Sequence, residues 1–363
     1  MLRTPTEKGP GRQSTLSKTA RQLTSTVYPM PPAPTFIDFC SGAGGFSRGF
    51  QRAGWTPLLG VDTCEHSLTS YRRNICETTL CLDLIVDETL QTVYQTLGGV
   101  APTAIIAGPP CQGFSMAGRR DPNDSRNLVF VECARKAVRL NPKLIIFENV
   151  PYLEKEPFKQ FFDRAANTMN RNGYATRRFK LQAGNFGIPQ NRWRLFLIGF
   201  PKAMAKQVEA VIETLEAVRH DQQTVRDAWN GLPHECSTAF HNHVSMQHSP
   251  EVIEKISKIA IGGGPLSYRK LNPDKPALTL IAGHSAMPCH YLANRTITVR
   301  EAARIQSFDD DFVFEGGLRS QMNQVANAVP PKLAEFVAAA LLPLFREADR
   351  KGSRARNQSS DCV

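Results

Sequence analysis

The sequence predicts a doubly wound α/β fold on a mostly parallel sheet. Three observations carry that prediction. Apolar strand-like runs alternate with amphipathic helical runs from Thr35 to Phe200, a glycine-rich loop follows the first run, and acids and a cysteine recur where strands end. TFIDF (35–39) reads as the first strand, and CSGAGG (40–45) as the loop into a helix through FSRGFQRAG. PLLGVD (57–62) is the second strand, ending in Asp62, and a helix follows over 66–73. A short third strand spans 81–85 with Asp83 near its end, then a helix spans 89–97. The fourth strand stops at Gly108, and the amphipathic run NLVFVECARKAVRL comes after it. KLIIFENV is the fifth strand, carrying Glu148, and the helix FKQFFDRAANTMNRNG leads to the strand RLFLIGF. In such a sheet ligands bind beyond the carboxyl ends of the strands. The glycines of 42–45, Asp62, Asp83, Cys111 and Glu148 all fall there.

Beyond Phe200 this rhythm breaks. Residues 201–294 are turn-rich and polar, with GGGPLSYRKLNPDKP and AGHSAMPCHY preceded by a helix-like TVRDAWNGLP. They read as a second, smaller, loop-rich domain. Residues 295–345 return to the first domain through helices near 298–308 and 331–345. Residues 1–34 are rich in Ser, Thr, Pro and Arg and read as a disordered basic arm, with a transit peptide or a start at Met30 as the alternatives. Residues 346–363 read as a disordered tail.

The chain has 363 residues, 41% hydrophobic and 21% charged, ordinary for a globular protein of one large and one small domain. Its net charge of +11 points to a polyanionic partner. Residues 1–35 hold five basic and one acidic residue and 346–363 hold five and three, which leaves the body near +5. The nine cysteines contain no CxxC pair, no apolar run approaches the roughly 18 residues of a membrane span, and no signal peptide opens the chain. The expectation is a reduced, intracellular protein. Seven of the eight histidines lie between His220 and His290, yet no pair has the spacing of a zinc fold, so no metal is expected.

GAGG after a strand, with Asp62 twenty residues past Gly42, has the form of a nucleotide site in which an acid takes ribose hydroxyls. Ser47 stands where a dinucleotide fingerprint wants its third glycine. A nucleoside without phosphates therefore fits better, and S-adenosylmethionine is the obvious one. In GPPCQGFS, Pro109 and Pro110 stiffen the backbone ahead of Cys111. A buried structural cysteine has no packing reason for such a loop, whereas a nucleophile needs the stiff mount.

GPPCQGFS, the ENV at Glu148, QNRWR at 190–194, RTITVREAARIQSF at 295–308, DFCSGAGGF and the terminal VANAVPP stand in one order. In that order they resemble the C5-cytosine DNA methyltransferases, over roughly residues 35–345. The resemblance implies a Rossmann-like fold dependent on S-adenosylmethionine, with residues 201–294 as the target-recognition domain. It implies that Cys111 adds to cytosine C6, that Glu148 contacts N3 and the exocyclic amine, and that Arg192 and Arg194 stand near O2 and the sulfur. The raised pKa such a glutamate needs calls for an apolar setting.

On the cofactor side it implies Gly42 and Gly44 at the methionine portion, Asp62 on the ribose, Asp83 on the adenine amine, Leu128 against the adenine, and Asn327 closing the pocket. The family usually has an aromatic where this chain has Cys40, so either Phe39 takes its place or the adenine stacks less well; Ala326 replaces a frequent glycine. Residues 115–127, with Arg119, Arg120 and Arg126, resemble the mobile loop that closes on an extruded base. Tyr268, Arg269, Lys270 and His284 are the expected further DNA contacts.

The implied partner is double-stranded DNA, bound by a monomer off the membrane, with a cognate restriction endonuclease in the same system. The setting is a bacterial cytoplasm at the nucleoid, or a nucleus if the source is eukaryotic. Methylation of tRNA and a non-catalytic DNA-binding relative are the rival readings. The Cys-Phe-Thr signature of the tRNA enzymes is missing, and GPPC argues against amino-methylation.

Overall fold

In a computed structural model, the chain is described for residues 33–110, 124, 126–265, 268–282 and 287–358, with side chains as far as Arg346. The elements follow the predicted alternation. They are β1 (Thr35–Phe39), α1 (Gly45–Arg52), β2 (Thr56–Asp62), α2 (Glu65–Asn74), β3 (Thr79–Cys81), α3 (Thr89–Leu97), β4 (Ala104–Ala107), α4 (Asn127–Arg139), β5 (Leu144–Asn149) and α5 (Lys159–Arg171). Then come β6 (Tyr174–Gln182), β7 (Gln190–Asn191), β8 (Trp193–Pro201), α6 (Ala205–Ala217), α7 (Val225–Ala228), α8 (Pro250–Ser257), β9 (Ala277–Leu278), α9 (Val299–Ile305), α10 (Leu318–Asn327) and α11 (Pro331–Gln358).

Seven strands form one sheet in the order β3-β2-β1-β4-β5-β8-β6. β1 to β5 pair in parallel, and β8 runs antiparallel to both β5 and β6. The order reverses between β1 and β4, the switch point where such sheets open a crevice. Side-chain alternation divides the sheet into two faces. Ile37, Phe39, Ile105, Ile145 and Phe147 pack with α3, α4 and α5, while Phe36, Ile106, Ile146, Phe196 and Ile198 pack with α1, α6 and α11. A third apolar cluster, built around Trp229, Leu280, Ile297, Val299 and Val325, also takes in Ala43 of the glycine loop and Tyr71 of α2.

Several elements were not anticipated, β6 and α6 foremost. β6 carries buried Phe179 and Leu181 alternating with Arg178 and Lys180, a period-2 signal inside the charged run YATRRFKLQ. α6 lies past the expected domain boundary at 201, yet its Val208, Ile212 and Leu215 are buried in the sheet's own core, so the α/β layer extends through it. A two-stranded β7–β9 pairing, Gln190 with Ala277 and Asn191 with Leu278, ties the loop-rich stretch back to the sheet's edge. The last helix runs to Gln358 rather than stopping near 345, in keeping with the helix formers of FREADRK.

Among the described residues one stretch, Leu318–Arg346, is long and apolar enough to cross a membrane. Its Val325, Leu333, Ala334, Val337, Ala338 and Leu341 are nonetheless all but sealed inside the protein.

Candidate active site

The strand registers bring the expected residues to one edge. Phe39 lies beside Val61 and Ala107, and Ala107 beside Phe147, so the next residues along, Asp62, Cys40, Gly108 and Glu148, line the carboxyl end of the sheet. A Cβ placed on Gly108 would stand 3.9 Å from both the Cys40 carbonyl and Glu148 Oε2, which measures how closely the glycine loop and the glutamate converge.

The loop from Cys40 to Gly44 turns through left-handed conformations, with φ of 54° at Cys40, 53° at Gly42 and 98° at Gly44. Glycine meets two of these without strain. Cys40 does not share that freedom; its thiol lies 3.9 Å from that of Cys133 on α4, and the Cys133 contact with burial pushes it well above the usual thiol range. Gly42 donates its N–H to Asp62 Oδ2 at 2.8 Å, and Cys64 donates to Oδ1 at 2.9 Å. Burial raises the Asp62 pKa against these bonds. A side chain at Gly42 would meet nothing within 4 Å, so the loop faces open space there.

The other cofactor candidates lie on three separate segments. Asp83 is exposed in the turn after β3, accepting from the Ile85 N–H at 2.9 Å. Leu128 is 37% exposed in the first turn of α4, and Asn327 is exposed at the end of α10. Phe39 does not replace the missing aromatic: it is wholly buried among the helices beneath the sheet. The alternation of β1 turns its ring away from the cleft.

Glu148 and Arg194 form a buried pair, Nε to Oε1 at 2.5 Å, each under a tenth exposed. Burial raises the Glu148 pKa, and Arg194 and then Arg192 oppose that rise. The two arginines share a face, as their spacing predicts, but divide their contacts. Arg192 donates to the carbonyls of Leu280, Ala326 and Ala328 at 3.0–3.3 Å, gripping the main chain on both sides of Asn327.

Cys111, Arg119, Arg120 and His284 lie outside the described residues. The mount of Cys111 is visible as far as Pro110, and a residue not singled out in the sequence holds it: Asn149 Nδ2 donates to the Pro109 carbonyl at 3.1 Å. The signal was an amide next to Glu148 at the end of an otherwise apolar strand. Two further buried amides were missed. Gln190 Nε2 donates to Gln306 Oε1, and Gln306 Nε2 to the Val325 carbonyl, both at 2.9 Å, which joins QNRWR, the REAARIQSF helix and the VANAVPP segment in one knot.

In the loop-rich stretch Tyr268 and Arg269 are half-buried, and Lys270 is 6% exposed with its N–H on the Gly263 carbonyl. A lysine so placed has little surface to offer a phosphate. Two of the histidines serve the packing here. His243 joins Thr298 Oγ1 to the Pro233 carbonyl at 2.9 Å each, and His290 stacks on Trp229 and Tyr291. Arg126, at the end of the arginine-bearing loop, pairs with Asp124.

The sheet order, the glycine loop at its switch point and the acid–arginine pair beside it define a Rossmann-like methyltransferase. Residues 34–342 match the family profile of the C-5 cytosine-specific DNA methylases, and the chain belongs to that family. It is a DNA (cytosine-5-)-methyltransferase. The Type II methyltransferase M1.HphI of Haemophilus parahaemolyticus is 35% identical over 330 residues, 85% of this chain and 87% of that protein. The Type II methyltransferase M.DdeI of Desulfomicrobium norvegicum is 28% identical over 362 residues, 83% and 87% of the two chains. A crystal structure described as a DNA modification methyltransferase encoded within an Escherichia coli prophage superposes with a TM-score of 0.73 at 25% identity, covering 86% of this chain and 99% of that one.

Proposed function

We propose that the protein methylates C5 of a cytosine extruded from a short specific site in double-stranded DNA, as the modifying half of a Type II restriction–modification system. The observation that carries this is the buried Glu148–Arg194 pair at the same strand edge as the glycine loop and the Asn149-held Pro109.

S-adenosylmethionine fits the residues present. The loop is open above Gly42, and Asp62 holds the loop from beneath while keeping lone pairs for ribose hydroxyls. Gly42, Gly44, Asp62, Asp83, Leu128 and Asn327 would hold it, and when bound it supplies an electrophilic methyl group. The chain's own residues prepare the base. The Cys111 thiolate forms a bond to C6, and the electron pair of the C5–C6 double bond moves to C5. Glu148, whose carboxyl burial pushes toward the protonated form against the two arginines, donates toward N3 as charge develops there. Arg194 orients Glu148 and neutralises charge beside it. Once C5 carries the methyl group, its proton passes to solvent. The C–H electron pair re-forms the C5–C6 double bond as the Cys111–C6 bond breaks to return the thiolate, and the N3 proton returns to Glu148. Arg119 and Arg120 would neutralise phosphates as the loop closes. A base inside a duplex is out of reach, so extrusion is required.

The loop-rich residues between α6 and 294 are proposed to read the target, with Tyr268 and Arg269 at the DNA and the protein acting as a monomer. A cognate endonuclease in the same cytoplasm completes the system. The test is expression in a methylation-deficient bacterial host, with bisulfite sequencing of the plasmid beside a Cys111→Ala control. Protected cytosines in one short motif, absent from the control, are expected. A clean plasmid from soluble protein that binds S-adenosylmethionine would overturn the DNA reading.

A further inference from the structure

Beneath the glycine loop lies a buried polar chain that the proposed chemistry does not use. Asp38, one residue before the end of β1, is 1% exposed, and its Oδ2 accepts from the Ser47 hydroxyl at 2.6 Å. With its own proton committed to Asp38, Ser47 can only accept from the Tyr71 hydroxyl, which lies 2.8 Å away. Three elements, β1, α1 and α2, thus meet through one hydroxyl. Ser47, read from sequence as a missing glycine, is the centre of the chain.

The Tyr71 ring is what the loop rests on. A Cβ at Gly44 would come within 2.6 Å of Ile75 and 3.0 Å of Tyr71, and one at Gly60 within 2.7 Å of the same ring. Gly44 and Gly60 are therefore pressed onto a ring whose hydroxyl is anchored through Ser47 to Asp38. The second carboxyl oxygen of Asp38, Oδ1, is buried with no hydrogen-bond partner among the described residues.

We infer that Asp38 is a positioning residue for the cofactor: through Ser47 and Tyr71 it holds the Cys40–Gly44 loop in the shape that receives S-adenosylmethionine. This rests on the cofactor reading above. The groups facing the carboxyl are Asp62 of β2, Tyr71 of α2, Cys76 beyond it and Cys40 of the loop. All of them are neutral or anionic, so a charge on Asp38 has no cation to meet. Burial, then Asp62, hold the Asp38 pKa up at about 8. Ser47 can donate to Asp38 in either protonation state, so what ionisation above that pH changes is the loop's floor, which it loads with a buried charge that no cation meets.

The experiment measures S-adenosylmethionine affinity by calorimetry on the full chain without DNA, from pH 6.5 to 9, for wild type, Tyr71→Phe, Ser47→Ala and Asp38→Asn. Tyr71→Phe keeps the ring and loses the anchor, so its Kd should rise about fivefold, as loss of one buried hydrogen bond implies. Its KM for the cofactor should rise with it while kcat on saturating substrates holds. Ser47→Ala should act alike. Wild-type affinity should fall as pH passes about 8, whereas Asp38→Asn, neutral throughout, should bind near wild-type level at pH 7 and lose that fall. Wild-type affinity and KM in both Tyr71→Phe and Ser47→Ala, in folded protein, would overturn the inference. So would a pH profile unchanged by Asp38→Asn. Failure of the wild type itself to bind the cofactor would instead sink the cofactor reading, and the inference with it.

Discussion

Glu148 sets the residue-scale chemistry. Because burial raises its pKa, the proton needed at cytosine N3 is present at pH values where an exposed glutamate has lost it, and activity should decline as pH climbs through that raised pKa. Glu148→Gln should lower kcat by roughly a hundredfold or more with cofactor affinity unchanged, read by single-turnover methylation beside calorimetry. Asn149→Ala should also lower kcat while leaving cofactor binding intact, because it frees the Pro109 carbonyl and not the glycine loop; equal loss of both would show that it supports the fold instead.

Asp38 makes a stability prediction of definite sign. Its folded pKa of about 8 lies above the ordinary 3.8, so the folded state holds a proton that the unfolded chain has lost. That part of the stability is whole below pH 4 and is lost progressively as pH rises to 8. The Tm of Asp38→Asn relative to wild type should therefore grow from pH 5 to pH 8. A constant difference would show that the carboxyl is ionised in the folded protein.

Elements meet at Arg192 and α6. Arg192 holds the carbonyls of Ala326 and Ala328, so it fixes the main chain on both sides of Asn327 at the end of α10. Arg192→Met should raise KM for S-adenosylmethionine by about tenfold through lost charge-assisted bonds. An unchanged cofactor KM with impaired chemistry would return Arg192 to the base side of the site. α6 is a core element of the sheet layer, and Ile212→Ala should cost about 3 kcal/mol in denaturant unfolding of the whole unit. If residues past 201 folded apart from the sheet, that cost would vanish from the main transition.

β6 and α6 escaped notice for a common reason. β6 edges the sheet and shows cations on its outer face, and α6 offers just three buried positions, so both look like solvated sequence until a neighbour covers one side. The strands β1, β4 and β5 had no such ambiguity, because burial on both faces makes them nearly all apolar.

For the whole molecule the net charge of +11 has a measurable consequence. DNA affinity should fall steeply with salt, and trimming residues 1–32 should reduce the slope of log K against log salt by less than the five positive charges of that segment. A slope unchanged by trimming would place the whole electrostatic contact on the body. The three apolar clusters meet around the glycine loop, where Cys40 packs against the first, Phe46 belongs to the second and Ala43 to the third.

By itself the sequence determined the doubly wound fold, the family, and the set of residues at the strand ends. Those depend on local spacing and on motifs whose chemistry is carried by residue type. Tertiary structure alone decided which of those residues touch. It sealed Phe39 away from the cleft, turned Arg192 to the main chain around Asn327, buried Lys270, and joined Asp38 to Ser47 and Tyr71. The reason is physical: a buried polar group must find its partner wherever the packing offers one, and that partner can lie a hundred residues away in sequence.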